Sequence, residues 1–246
     1  MASKYRFIDL FCGIGGFRLA LERLGAKCVF SSDIDVFAQQ TYFDNFGEKP
    51  FGDITQIEAK DIPSFDILTA GFPCQPFSYA GLCKGFEDQT RGTLFFDVCR
   101  ILAYHRPKMF FLENVKGLVS HNGGNTIKVI LDNLKKLGYD VHWKVLSSLD
   151  FGLPQKRERW YCVGFDKKVN FEFPQPLAIS PTLRDIVDLN DDNPALKLSK
   201  FEHDRIQYHF AHCHEEERVQ HDNSKYAPNT KTRGTTLEFS NGAKWD

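Results

Sequence analysis

The sequence predicts an α/β protein whose sheet of about seven strands is mostly parallel and carries helices on both faces. Three observations predict it. Apolar runs of strand length alternate with stretches of helical periodicity through the first two thirds of the chain. The strand-like runs end in glycine-containing or polar loops, where open parallel sheets keep their functional groups. Two of the helical stretches close on Gly25 and Gly138, the residue type that most readily ends a helix.

In chain order, Tyr5 to Phe11 reads as the first strand. A glycine turn follows, and then Phe17, Ala20, Leu21 and Leu24 recur at helical spacing. Lys27 to Ser31 is the second strand, and Phe65 to Gly71 and Pro107 to Val115 are two more, with a helix over Leu94 to Leu102 between them. Ile127, Ile130, Leu131, Leu134 and Leu137 mark an amphipathic helix that leads into the last two strands, Tyr139 to Leu149 and Arg159 to Phe165. Phe173-Pro174-Gln175-Pro176 interrupts any regular element, so the folded domain is expected over residues 1–175 and a different kind of segment over 176–246. From Phe201 to Asp246 the only branched aliphatic residues are Ile206, Val219 and Leu237, too few to offset the entropy of ordering that stretch alone.

A chain of 246 residues with 42% hydrophobic and 26% charged residues is a globular composition. No apolar run reaches spanning length and no secretory h-region precedes the first strand, so no membrane partner and a cytoplasmic location are expected. The seven cysteines contain no C-x-x-C pair, which argues against a disulfide framework and a zinc knuckle. His203, His209, His212, Cys213, His214 and His221 match no zinc spacing, and no metal is expected there. With a formal net charge of −1, any phosphate contacts must come from a local basic patch, and Lys156-Arg157-Glu158-Arg159 is the compact candidate.

Phe11-Cys12-Gly13-Ile14-Gly15-Gly16-Phe17 lies between a strand and a helix. Gly13, Gly15 and Gly16 would let a ligand approach the backbone, and the helix N-terminus offers unpaired N–H groups. A dinucleotide fingerprint would need glycine or alanine where Arg18 stands. What fits is an adenosine ligand without a pyrophosphate, with Asp33 accepting from ribose hydroxyls. The alternatives are a tight turn without a ligand and, for Asp33-Ile34-Asp35, a solvated helix start.

Gly71-Phe72-Pro73-Cys74-Gln75-Pro76-Phe77-Ser78, Phe111-Leu112-Glu113-Asn114-Val115 and Gln155-Lys156-Arg157-Glu158-Arg159 stand in this order along the chain. Here the sequence closely resembles the bacterial C5-cytosine DNA methyltransferases of restriction–modification systems, from about Phe7 to Phe165. The resemblance implies a Rossmann-like class I methyltransferase fold, S-adenosylmethionine as cofactor, double-stranded DNA as partner and methyl transfer to carbon 5 of a cytosine flipped out of the duplex. Carbon 5 is a poor nucleophile until a thiolate has added at carbon 6, and Cys74 resembles the family's covalent nucleophile. Negative charge then develops on N3 and O2. Glu113 matches the residue that meets N3 and the exocyclic amine, which requires a raised pKa, while Arg159 would contact O2 and Arg157 would position the active-site loop or a phosphate.

By the same resemblance Phe11 and Ile34 sandwich adenine, Asp53 with Ile54 lies at the adenine edge, and Pro73 and Leu94 complete the cofactor contacts. Family members often carry an aromatic where Ile34 stands, which implies weaker stacking here. Gln75 and Ser78 would touch DNA, and Ser78 to Thr93, with Gly81, Gly85 and Gly92, has the make-up of a lid that closes on the flipped base. Residues 176–246 would then be a linker and a partial target-recognition region. The family's last two motifs do not appear, so a truncated product or the larger subunit of a split enzyme is expected, the second case calling for a second polypeptide. Two rival functions remain: an RNA (tRNA) cytosine-5 methyltransferase, and a catalytically incomplete S-adenosylmethionine-binding subunit.

Overall fold

The structure, a computed structural model, describes residues 5–73, 94–186, 188, 194 and 197–212. The first strand, β1 (Arg6–Leu10), is apolar on both faces apart from Asp9 and the exposed Arg6, and Phe7, Ile8, Asp9 and Leu10 are all fully buried. Such a strand suits the middle of a parallel sheet covered on both sides. β1 is followed by α1 (Gly16–Arg23), β2 (Lys27–Ser32), α2 (Val36–Phe46), β3 (Ile67–Ala70), α3 (Leu94–His105), β4 (Met109–Val115), α4 (Asn125–Lys136), β5 (Asp140–Ser147) and β6 (Glu158–Phe165).

These six strands form one sheet in the order β2-β1-β3-β4-β6-β5. Pairs β1–β2, β1–β3 and β3–β4 are parallel, whereas β6 runs antiparallel to both β4 and β5. The expectation of about seven strands is therefore corrected to six among the described residues, since each apolar run read from the sequence yields one strand and no further run supplies another. β6 is the one reversed strand. The connection from β5 to β6, residues 148–157, holds only one 3-10 turn, and a parallel pair would need a crossover of about a dozen residues or more.

Helices cover both faces. Ile8, Leu10, Leu68, Phe110 and Leu112 pack with Val98, Leu102, Ile130 and Leu134 of α3 and α4. On the opposite face Phe7, Cys28 and Ile67 pack with Leu21 of α1. α2 is capped by Asp35, whose Oδ1 accepts from the N–H groups of Phe37 (2.8 Å) and Ala38 (3.2 Å), and it closes on Gly47 at φ 70°. Its buried residues are Gln39 and Tyr42, so no apolar stripe announces it in the sequence.

The chain divides into two compact units at Pro181/Thr182. Within the first unit, residues after β6 form no helix or strand, and Leu177 N–H donates to Asp150 O at 2.8 Å. In the second unit, α5 (Lys200–His212) begins with a capping box in which Ser199 N–H and Oγ donate to Glu202 Oε2 and Glu202 N–H donates back to Ser199 Oγ. No described helix is long and apolar enough to cross a membrane.

Candidate active site

β1 sends its chain through α1 to β2 on one side, while its other neighbour is β3. The loops leaving β1 and β3 at their carboxyl ends therefore diverge and open a crevice, the usual ligand position in such sheets. The first loop is Phe11 to Gly15 and the second begins at Gly71.

The first loop is locked by backbone geometry. Phe11 has φ 53°, a left-handed value that costs a non-glycine residue strain, and Gly13 and Gly15 follow at φ 53° and 95°. Asp33, just past β2, clamps the loop: its Oδ2 accepts from Gly13 N–H at 2.7 Å and its Oδ1 from Asp35 N–H at 2.9 Å. A carboxylate oxygen has a second lone pair, so Asp33 retains capacity to accept from a ligand hydroxyl. A Cβ at Gly15 would fall 2.1 Å from the Phe46 ring, so this glycine is required by packing. Cβ atoms at Gly13 and Gly16 would meet nothing within 4 Å among the described residues, which leaves open space above the loop. Together with the N-terminus of α1 and the exposed side chain of Ile34, this geometry fits the adenosine ligand expected from the sequence. Asp53 caps a single 3-10 turn, Ile54–Gln56, by accepting from Thr55 N–H at 2.9 Å. The Ile54 side chain is buried in the core, so any ligand contact of that residue would be made by its backbone.

The second loop leads to the chemistry. Gly71 N–H donates to Leu10 O at 3.3 Å, and a Cβ on Gly71 would lie 3.5 Å from Glu113 Oε2 and 3.8 Å from Phe11 O. The end of β3, the glycine loop and Glu113 thus meet at one point. Phe72 is buried against the Phe95 ring, and Pro73 is exposed. Cys74, Gln75, Ser78 and the expected lid to Thr93 lie outside the described residues. Leu94, half-buried, is the first residue of α3.

Glu113 lies on β4 directly opposite Tyr161 of β6, two residues beyond Arg159. Arg159 Nε sits 2.9 Å from Glu113 Oε1, and both side chains are largely withdrawn from solvent. Burial raises the Glu113 carboxyl above the ordinary value, against the opposing pull of the Arg159 and Arg157 cations. Arg157 is exposed and precedes the strand, with its N–H donating to Ser148 Oγ. The basic run is thereby divided: Lys156 and Arg157 face solvent, Glu158 pairs with Lys116 at 2.8 Å, and Arg159 turns into the site. Phe17, Phe111 and Tyr161 form an aromatic run on the same face, with centroids 5.1 and 5.7 Å apart.

Two residues that the sequence reading missed support this arrangement. Asn114, 2% exposed, points to the opposite side of β4 from Glu113, and its Nδ2 donates to Phe72 O at 2.8 Å, two residues before Cys74. An amide next to Glu113 in a strand that is otherwise apolar was the available signal. Arg100, on α3, reaches the turn capped by Asp53, and its i, i+3 pairing with Asp97 was the only local hint. Cys12, Cys28, Cys99 and Cys162 are buried, and burial raises each thiol well above its ordinary value, that of Cys28 to about 11. None is a usable thiolate. No three His, Cys, Asp or Glu side chains group around a possible metal position among the described residues, and Cys213, His214 and His221 lie outside them.

The model of the C-5 cytosine-specific DNA methylase family matches residues 5–244. The chain belongs to that family. It is 59% identical over 192 residues to the type II methyltransferase M.HaeII of Haemophilus aegyptius, an alignment that covers 78% of this chain and 60% of the relative. It is 54% identical over 185 residues to M.HhaI of Haemophilus parahaemolyticus, covering 74% and 56% respectively. The chain thus spans about three fifths of the length of these curated relatives. Among solved structures, the Dnmt2 methyltransferase of S. pombe shares the fold with a TM-score of 0.64 at 23% identity over 83% of this chain and 67% of that one. Spodoptera frugiperda DNMT2 does so with a TM-score of 0.61 at 24% identity, covering 77% and 61%. The Rossmann-like methyltransferase fold is therefore established. The comparisons give no support to a second polypeptide.

Proposed function

We propose that this family member methylates carbon 5 of a cytosine flipped out of duplex DNA, as the modification enzyme of a restriction–modification system acting in the bacterial cytoplasm. The observation that carries the reading is the Arg159–Glu113 pair, at the mouth of the crevice and beside Gly71, three residues before Cys74.

S-adenosylmethionine, when bound, supplies an electrophilic methyl group on a sulfonium. Phe11, the glycine loop, Asp33, Ile34, Asp53, Ile54, Pro73 and Leu94 are the residues proposed to hold it. The Cys74 thiolate adds to carbon 6 of the base, forming a C–S bond and moving an electron pair toward N3 and O2. Glu113, raised by burial, keeps a proton more readily than an ordinary glutamate and presents it to N3. Arg159, held by the Glu113 carboxyl, offers its remaining guanidinium donors to O2. Carbon 5 then accepts the methyl group, with S-adenosylhomocysteine as the leaving group, and loses its proton to a base; N3 returns its proton to Glu113 as the C–S bond breaks to give back the Cys74 thiolate. Arg157, exposed beside this site, is placed to meet a phosphate, with Gln75 and Ser78 on the DNA side.

The test is adduct trapping. Duplex DNA carrying 5-fluorocytosine should form a covalent complex with the unsubstituted protein and none with Cys74→Ser, and methyl transfer should favour duplex DNA over tRNA. An adduct that persists in Cys74→Ser sinks the assignment of the nucleophile, and preferential transfer to tRNA sinks the assignment of the substrate.

A further inference from the structure

We propose that Arg100 is a positioning residue that fixes the edge of the cofactor pocket where adenine is read. The inference rests on the reading that Asp53 and Ile54 face the adenine ring. Arg100 belongs to α3, yet its guanidinium extends to the 3-10 turn Ile54–Gln56, more than forty residues earlier in the chain. Its Nη1 donates to Ile57 O at 3.0 Å and its Nη2 to Ile54 O at 3.1 Å. Asp97, one turn earlier on the helix, accepts from Nε at 3.3 Å and from Nη2 at 3.1 Å, which holds the fork in line. The Ile54 carbonyl therefore serves two donors, because Ile57 N–H also reaches it at 3.2 Å.

A single 3-10 turn has poor hydrogen-bond geometry and little stability of its own. This one is secured at three places: Ile54 is sunk in the core, Asp53 caps the first end, and Arg100 binds the carbonyls of Ile54 and of Ile57, just past the turn. Hydrogen bonds from a guanidinium are stronger than neutral ones and fix direction through the planar fork. Without Arg100, the turn would keep its buried anchor but could rotate about it, and Asp53 and the Ile54 N–H would lose their shared alignment.

That alignment has a chemical signature. The adenine edge offers a donor, the exocyclic amine, beside an acceptor, N1. A carboxylate and a backbone N–H side by side complement both. Hypoxanthine reverses the pattern, with a carbonyl at carbon 6 and a proton on N1. A correctly held Asp53–Ile54 edge should therefore prefer S-adenosylhomocysteine to S-inosylhomocysteine by about tenfold or more.

The experiment measures the binding of both compounds by calorimetry for the unsubstituted chain, Arg100→Met and Arg100→Lys. Arg100→Met keeps the aliphatic stem and removes every donor, so the adenine preference should fall toward parity while affinity for S-inosylhomocysteine stays nearly unchanged. Arg100→Lys, able to serve one carbonyl at a time, should lie between. General damage to the fold would weaken both ligands in proportion and preserve the ratio, and a preserved ratio in Arg100→Met overturns the proposal. Should Arg100→Met fail to fold, an unchanged ratio in Arg100→Lys does the same. An unsubstituted chain that binds both compounds equally, or neither, removes the adenine-edge reading itself and the proposal with it.

Discussion

Asp9 offers the sharpest quantitative test of how the glycine crevice is built. Its carboxyl group is fully buried in β1, and burial pushes it up to about 7 from an ordinary 3.8. Thr69 Oγ1 lies 2.9 Å from Asp9 Oδ1 and 3.0 Å from Ile8 O, and one hydroxyl hydrogen can serve only one of them. A protonated Asp9 resolves the conflict by donating to Thr69, which then donates to Ile8 O. A group raised on folding stabilises the native state fully below its unfolded value, and that contribution is lost as pH rises toward the folded value. Asp9→Asn preserves the neutral hydrogen-bonded form and does not titrate. Its stability relative to the unsubstituted protein should therefore climb by about 1.4 kcal/mol per pH unit, or roughly 3 kcal/mol between about pH 5 and pH 7, and level off above that. Urea midpoints for both proteins across this range measure the difference, in which every other titrating group cancels. A flat difference would mean that Asp9 is ionised in the native state and that Arg18 compensates its charge.

Two further substitutions test packing and the approach to the site. Gly164 faces Phe110 across the β4–β6 ladder, and a Cβ there would fall 2.1 Å from the buried ring, so Gly164→Ala should cost about 1–3 kcal/mol by overpacking. Thermal unfolding should show a drop of roughly 2–10 °C, and an unchanged midpoint would mean that the ring has room to move. Asn114→Ala strips Phe72 O of its buried donor, a loss of about 1–3 kcal/mol, and should slow formation of the Cys74 adduct more than it weakens cofactor binding. Equal effects on the two, measured by adduct trapping and calorimetry, would reduce Asn114 to an ordinary structural residue.

The sequence by itself determined the alternation of strands and helices, the glycine loop after β1 and the order of the segments bearing Cys74, Glu113 and Arg159, because each is written in local periodicity or in a contiguous motif. Of α2 it gave only a possible start at Asp33-Ile34-Asp35, because the buried face of that helix carries Gln39 and Tyr42 in place of an aliphatic stripe. Only the tertiary structure decided which groups meet. Glu113 and Arg159 are far apart in sequence and touch because β6 enters antiparallel to β4 in a register that places Val115 opposite Arg159 and Glu113 opposite Tyr161. Asp33 was legible as an acceptor but not as the clamp on Gly13, and Arg100, beyond its local pairing with Asp97, gave no sign that it would bind the turn after Asp53. A one-residue change in the register of β6 would send Arg159 to the sheet face opposite Glu113, and register is set by packing across the whole sheet, which no local stretch of sequence contains.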